Sequence, residues 1–260
     1  MTSSIVQIAI DCPLRTLFDY LNPFPGEPLQ PGVRVKVPFG KRETVGIVMH
    51  NTHITAVPVH KLRALIAVLD TAPLLPPPLL ALARFASGYY HQPIGEVLFS
   101  ILPILLRKGK PAIIQHLATA APQPRHEKPI LLNPAQKNAI EAVGDHFETF
   151  LLYGVTGSGK TEVYLQLIDR VLTAGKQALV LVPEIGLTPQ TVERFRARFS
   201  VPIVIVHSGL TDKKRLQHWL MAQTGEAHII IGTRSALFTP LVNPGILIID
   251  EEHDLSFKQQ

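Results

Sequence analysis

The sequence predicts an α/β chain: a lobe built on a parallel sheet, preceded by a small β-rich domain. Three observations predict it. Gly154 to Thr161 reads G-V-T-G-S-G-K-T, a phosphate-binding loop between an apolar run and an amphipathic helix. Asp250 to His253 reads D-E-E-H, directly after another apolar run. From Leu131 onward, nearly all-apolar short segments alternate with amphipathic ones, whereas the first 70 residues alternate in the manner of half-buried strands.

The β-rich part is expected to hold strands at Ile5–Ile10, Arg34–Val37, Val45–Met49 and Leu62–Leu69, separated by Pro and Gly punctuators. Two short helices follow, around Leu79–Tyr90 and Gly95–Leu106, with Pro93 between them. Residues 118–130 are small, Pro-rich and polar, which reads as a linker. The expected boundaries are therefore 1–117, a linker 118–130, and 131–260. In the last part, Phe150–Tyr153 is expected as the strand entering the phosphate loop. Glu162–Thr173 is a helix with Val163, Leu167, Ile168, Val171 and Leu172 on one face, closed by Gly175. Gln177–Val182, Ile203–Val206, His228–Ile231 and Ile246–Ile249 read as buried strands. Thr188 before Pro189 is an N-cap ahead of a helix whose buried stripe is Val192, Phe195 and Phe199.

Charge is unevenly placed. Residues 1–117 carry 11 Lys/Arg against 6 Asp/Glu, while residues 131–260 carry 12 against 13. A basic domain beside a near-neutral one suits a polyanionic partner or, equally, a soluble basic surface. Cys12 is the single cysteine, which excludes an internal disulfide and a cysteine-rich zinc site, and suits a reducing cytosol. No apolar run is long enough to span a bilayer, so no membrane partner is expected.

The two motifs define an ATP and Mg²⁺ chemistry. Gly154, Gly157 and Gly159 let the backbone curl so that its N–H groups, with those of Thr156 and Ser158, point at phosphate oxygens. The helix N-terminus at Thr161 adds partial positive charge there. Lys160 is expected on the β- and γ-phosphates and the Thr161 hydroxyl on Mg²⁺. Asp250 is expected to hold Mg²⁺ through its waters, and Glu251 to polarise the attacking water as general base. Two readings stand for His253: a sensor of γ-phosphate or DNA, and a cap on the loop. Two also stand upstream: Asn133 caps a helix ahead of Pro134, and Gln136 reads adenine through its amide.

The residues between the motifs are distinctive: Val182-Pro183-Glu184-Ile185-Gly186-Leu187-Thr188-Pro189-Gln190, His207-Ser208-Gly209-Leu210, and Gly232-Thr233-Arg234-Ser235-Ala236-Leu237-Phe238. With the phosphate loop and D-E-E-H-D, this run resembles the PriA-type (primosomal protein N′) replication-restart helicases, superfamily 2 motors of 3′-to-5′ polarity. The N-terminal part is similar too, through Leu17-Phe18-Asp19-Tyr20, Val37-Pro38-Phe39-Gly40, Tyr89-Tyr90-His91 and Pro93-Ile94-Gly95. The resemblance spans about 1–110 and 131–260.

It implies a first RecA-like helicase lobe behind a domain that takes the 3′ end of a nascent DNA strand. Phe18, Asp19, Gly40 and Arg63 occupy the matching pocket positions. Phe18 would stack on a terminal base and Asp19 accept from the 3′-OH, whereas residues read singly also allow a core phenylalanine and a turn acid. The family usually has lysine where Arg63 stands. Thr233, Arg234 and Ser235 fall in a motif that grips single-strand phosphates; Arg234 also suits a structural ion pair. The resemblance further implies forked and single-stranded DNA, primosome and single-strand-binding proteins as partners, and a bacterial cytoplasmic, nucleoid-associated setting.

Two departures set the remaining expectations. The family normally carries a winged-helix domain where this chain has residues 118–130. A second RecA-like lobe, with a cysteine-rich zinc module and a catalytic arginine, is expected after D-E-E-H-D-L-S-F-K-Q-Q and is absent from the sequence. The chain by itself is thus expected to bind ATP and DNA without unwinding, as the N-terminal portion of a helicase. The competing expectation is a non-catalytic DNA 3′-end-binding protein with a remnant motor lobe.

Overall fold

The computed structural model describes residues 4–24, 26, 28–113, 131–144, 146–155 and 157–257. The expected linker 118–130 and Thr156 lie outside the described residues. The chain divides into two compact units, Met1–Gln115 with Leu210–Gln223 and Phe238–Pro240, and His116–Gly209 with Thr224–Leu237 and Leu241–Gln260.

The first unit is built on a six-stranded sheet. Its strands are β1 (Ile5–Ile10), β2 (Phe18–Leu21), β3 (Arg34–Phe39), β4 (Arg42–Thr52), β5 (Arg63–Ala64) and β6 (Ala67–Val68), in the order β5-β2-β1-β4-β3-β6. β1, the expected strand, is confirmed with its bounds unchanged. Leu62–Leu69 is not one strand. It supplies two two-residue edge pieces, β5 parallel to β2 and β6 antiparallel to β3. β3 and β4 form a hairpin with Phe39 opposite Arg42. Its two-residue loop places Gly40 at φ 60°, the glycine position of a tight hairpin turn.

Period-two alternation gives this sheet two apolar faces. On one, Val6, Ile8, Ile10, Tyr20, Val35, Val37 and Val48 pack together, joined by Phe18 and Phe39. On the other, Ala9, Val45, Ile47 and Met49 meet α1 (Pro77–Tyr89), α2 (Ile94–Ile101) and the residues around α3 (Ile104–Arg107) through Leu79, Leu80, Ala83, Leu98, Phe99 and Leu106. Gly95 of α2 lies so close to β1 that a Cβ there would sit 1.8 Å from the Ile10 carbonyl oxygen. Leu216, Trp219 and Leu220 join the same cluster.

A buried cation locks this layer. Arg34, 1% exposed, makes a two-pronged contact with Asp70: Nη2 to Oδ1 at 2.7 Å and Nε to Oδ2 at 2.9 Å. Its Nη1 donates to the Leu106 carbonyl at 2.7 Å and the Lys110 carbonyl at 3.1 Å. Strand β3, the segment after β6 and the end of α3 are thereby tied to one guanidinium.

The second unit carries a four-stranded, all-parallel sheet. It follows α4 (Pro134–Ala142) and α5 (Lys160–Thr173), and comprises β7 (Gln177–Leu181), β8 (Ile203–Val206), β9 (Ile229–Gly232) and β10 (Pro244–Ile249), in the order β10-β7-β9-β8. Helix α6 (Pro189–Arg198) lies between β7 and β8 in sequence. α7 (Asp212–Thr224), between β8 and β9, was not expected from the sequence. Leu165 and Ile168 of α5, with Phe195 of α6 and Phe199 just after it, cover Ala178, Val180, Ile229, Ile231 and Ile248. β7 and β9 are buried along their whole length, which is why their sequences are unbroken apolar runs.

Phe150–Tyr153 departs from expectation. Among the described residues it belongs to no strand, and Tyr153 is 93% exposed. β10 is correspondingly an edge strand, with Leu247 49% and Ile249 45% exposed on the face opposite Ile248.

Replacing Asp70 with alanine leaves the Arg34 charge buried without its counter-ion. The variant is expected to lose about 3–5 kcal/mol of stability, read as a lower urea midpoint for the unit containing β1–β6.

Candidate functional site

Parallel pairing puts the C-terminal ends of all four strands of the second unit at one edge. Ile249, Leu181, Gly232 and Val206 stand in register across it. The ladder runs one residue further: Asp250 N–H donates to Leu181 O at 2.9 Å, Val182 N–H to Gly232 O at 2.9 Å, and Thr233 N–H to Val206 O at 3.2 Å. Asp250, the Pro183–Glu184 turn and Thr233–Arg234 are therefore neighbours along one rim, although the sequence separates them by up to 67 residues (250 against 183).

α5 crosses the sheet antiparallel to β10. Near its end, Val171 faces Gly245 at the start of β10, where an added Cβ would meet Val171 Cγ1 at 2.5 Å. Near its beginning, Tyr164 Oη donates to Asp250 Oδ1 at 3.2 Å. The N-terminus of α5, the positive end of its dipole, is so brought to the rim that holds Asp250. Gly157 at φ 82° and Gly159 at φ 86° turn the loop into the helix in the left-handed region. Gly154 abuts Ser158: a Cβ there would lie 2.7 Å from Ser158 Oγ.

Lys160 Nζ donates to the Gly154 carbonyl at 2.7 Å and to Val155 O at 3.4 Å, so its ammonium lies over the loop. Thr161 stands in the first turn of α5, half-buried. The capping reading of Asn133 holds: its Oδ1 accepts from Gln136 N–H at 2.9 Å, and Gln136 Oε1 accepts from Asn133 N–H at 2.9 Å. Gln136 Nε2 also reaches Gly159 O at 3.3 Å. The amide expected to read adenine is thus already anchored between the cap and the phosphate loop.

Glu251 takes φ 49°, a strained choice for a residue with a side chain. The turn swings its carboxylate outward, 48% exposed, with His253 Nε2 3.6 Å from Oε2. Burial and the neighbouring Asp250 carboxylate push the Tyr164 hydroxyl well above its ordinary pKa, so it remains a donor. The expected single-strand motif divides: Arg234 and Ser235 are exposed, whereas Thr233 is buried and its carbonyl accepts from Ala236 N–H at 2.8 Å. Thr188 caps α6, its Oγ1 accepting from Thr191 N–H at 3.2 Å.

The expected DNA-end residues lie in the first unit. Phe18 meets Phe39 edge-to-face at 5.2 Å. Arg63 Nη1 donates to Gly40 O at 3.0 Å, and Arg63 pairs with Tyr20 across β2 and β5. Tyr20 Oη donates to Pro38 O at 2.9 Å; burial pushes its pKa up, offset in part by Arg63. Phe18, Gly40 and Arg63 are thus brought together around the end of the hairpin. Asp19 is not with them. It pairs with Gln7 on the opposite face of the sheet, where Gln7 Nε2 donates to Oδ1 at 3.1 Å and Thr55 Oγ1 to Oδ2 at 2.5 Å. Gln7, Thr55 and Tyr164 went unnoticed in the sequence. For Tyr164 a signal existed, since it follows Thr161 by three residues on the same helix face.

A phosphate loop opening a helix against a parallel sheet, and a carboxylate at the rim where that helix begins, define a P-loop nucleotide-dependent motor lobe, here preceded by a β-rich domain. Comparison with known proteins carries this to a family. A PriA 3′ DNA-binding domain (3′BD) matches residues 7–103, and a DEAD/DEAH box helicase domain matches residues 133–260. The replication restart protein PriA of Haemophilus influenzae is 38% identical over 98% of this chain and 45% of its own length. Its counterpart from Treponema pallidum is 34% identical over 97% of the chain and 39% of its own length. That of Bacillus subtilis is 47% identical over 51% of the chain and 17% of its own length. The chain belongs to the PriA replication-restart helicase family, and it spans less than half the length of these relatives. The Haemophilus alignment runs over 330 positions, at least 70 more than the 260 residues of this chain; the Treponema alignment runs over 261.

Gly159→Ala would force a side chain into the left-handed region, with Cβ 2.3 Å from Gln136 Nε2. It is expected to cost more than about 1 kcal/mol and to weaken nucleotide binding, both read from thermal melts with and without ADP.

Proposed function

We propose that this chain is the ATP- and DNA-binding portion of a 3′-to-5′ replication-restart helicase. The observation that carries the reading is the meeting, at one sheet rim, of the α5 N-terminus with Asp250, in a chain that also bears a 3′ DNA-binding domain. The proposed layout is a 3′-end-binding domain over 1–117, a linker over 118–130 and a motor lobe over 131–260.

In this reading the loop N–H groups and Lys160 hold the phosphates, with Gln136 against the base after exchanging its present partners. The Thr161 hydroxyl and Asp250 carboxylate are hard oxygen donors of the kind Mg²⁺ takes. Bound there, the ion would neutralise charge on the phosphate oxygens. Glu251, already turned outward, is placed to accept a proton from water. Arg234 and Ser235 would grip strand phosphates along the rim, with Thr233 shaping the turn from within. Phe18 and Arg63 would take the terminal base and phosphate of a 3′ end, Gly40 leaving room for them. Asp19, held by Gln7 and Thr55 on the opposite face of the sheet, would reach the hydroxyl only if the strand end passes around the sheet edge. Forked DNA, single-strand-binding protein and primosome proteins are the proposed partners, in the bacterial cytoplasm.

By itself the chain is proposed to bind ATP and DNA without unwinding. One observation favours the alternative of a non-catalytic 3′-end binder: among the described residues, the segment entering the phosphate loop joins no strand, and β10 stands at an edge of the sheet.

Two measurements separate the readings. Lys160→Ala is expected to abolish nucleotide binding while leaving affinity for 3′-OH ends unchanged; absence of nucleotide binding in the unaltered chain would favour the non-catalytic reading. Arg63→Ala and Asp19→Ala are expected to weaken binding to 3′-OH ends about tenfold, a loss on the order of 1–2 kcal/mol, in fluorescence anisotropy. If 3′-OH and 3′-phosphate ends bind equally, the end-reading role is wrong.

A further inference from the structure

We propose that Tyr164 is a positioning residue for Asp250, setting the carboxylate that faces the metal side of the nucleotide site; this rests on the nucleotide-site reading above. The hydrogen bond from Tyr164 Oη to Asp250 Oδ1, 3.2 Å long, joins residues 86 apart in sequence. Nothing in the phosphate-loop or D-E-E-H motifs assigns Tyr164 a task.

Asp250 is the last residue of the β10 ladder, and Glu251 after it enters a left-handed turn. The backbone therefore fixes Asp250 Cα but leaves its two side-chain torsions to local contacts. The Tyr164 phenol fixes them. Its ring packs against the cluster formed by Leu165, Ile168 and Ile248, so its hydroxyl sits at the end of a rigid arm. A bond to Oδ1 orients the carboxylate plane while leaving Oδ2 free of the phenol.

The same helix carries Thr161 three residues earlier, on the same face. Tyr164 is thus a ruler between two oxygen donors from distant parts of the chain. It sets how far the Asp250 carboxylate stands from the Thr161 hydroxyl. Any shift of α5 along β10 would be felt at the carboxylate, which makes the bond a mechanical link between loop and rim.

Tyr164→Phe deletes the hydroxyl and keeps the ring. In the full 260-residue chain, the Mg²⁺ concentration for half-maximal binding of N-methylanthraniloyl-ADP is expected to rise about tenfold, the usual scale for losing a partner behind a metal ligand. The melting midpoint without nucleotide should not move. Asp250→Ala, which removes the acceptor, should raise the Mg²⁺ requirement too, and adding Tyr164→Phe to it should change nothing further. An unchanged Mg²⁺ curve in Tyr164→Phe, a fall in the nucleotide-free midpoint that accounts for the loss, or additive effects in the double variant would each overturn the proposal. If the unaltered chain shows no Mg²⁺-dependent binding that Lys160→Ala removes, the nucleotide-site reading falls and takes this proposal with it.

Discussion

Parallel strand pairing is the constraint from which the rest of the second unit follows. Parallel neighbours cannot be joined by a hairpin, so each must return through a crossover on a face of the sheet. All strand ends of one polarity then share a rim, and residues just past those ends become neighbours whatever their sequence distance. That is why Asp250, Val182 and Thr233 each continue the ladder by one bond and then leave it. The helix that follows the phosphate loop must run back against β10, which delivers its positive end to the rim with the acid. Burial on both faces forces β7 and β9 to be apolar, so their polar neighbours appear only at their ends.

The first unit obeys a different constraint. Its strands are mostly antiparallel and each face of the sheet has its own cluster, so function is distributed by alternation. Phe18 and Asp19 are consecutive and yet face opposite layers. The Arg34–Asp70 pair shows how a charge is tolerated inside such a layer: one guanidinium makes four side-chain bonds, two to the carboxylate and two to backbone carbonyls. A hydrophobic residue of equal size would leave the carbonyls of Leu106 and Lys110 without that donor.

Much of this was legible in the sequence, and the reasons it was or was not are physical. β1 and β8 agree with the expected bounds, and β7 to within one residue, because continuous or strictly alternating apolar residues leave one conformation that buries them. Thr188 before Pro189 marked the start of α6 because hydroxyl capping and a missing N–H both suit a first turn. β2 was missed because F-D-Y-L is four residues long and carries a charge that Gln7 and Thr55 satisfy across the sheet. α7 was missed because D-K-K-R-L-Q-H-W opens on charged residues and shows its apolar side only from Leu216 onward. Phe150–Tyr153 has strand composition, but a strand needs a neighbour, and composition says nothing of pairing. At the candidate sites the motif residues were legible; of their supports, Tyr164 showed only its spacing from Thr161, and Gln7 and Thr55 showed nothing, since only folding brings them to the acid they hold.

Glu251 carries one further consequence. A left-handed backbone is where glycine or asparagine sits with least strain, and a glutamate there costs on the order of 1 kcal/mol or more. Heat-resistance engineering guided by backbone strain alone would choose that position. Under the proposed reading of Glu251 as the general base, the strain is a conflict between thermostability and task, and residue 251 is a position to exclude from a stabilisation campaign.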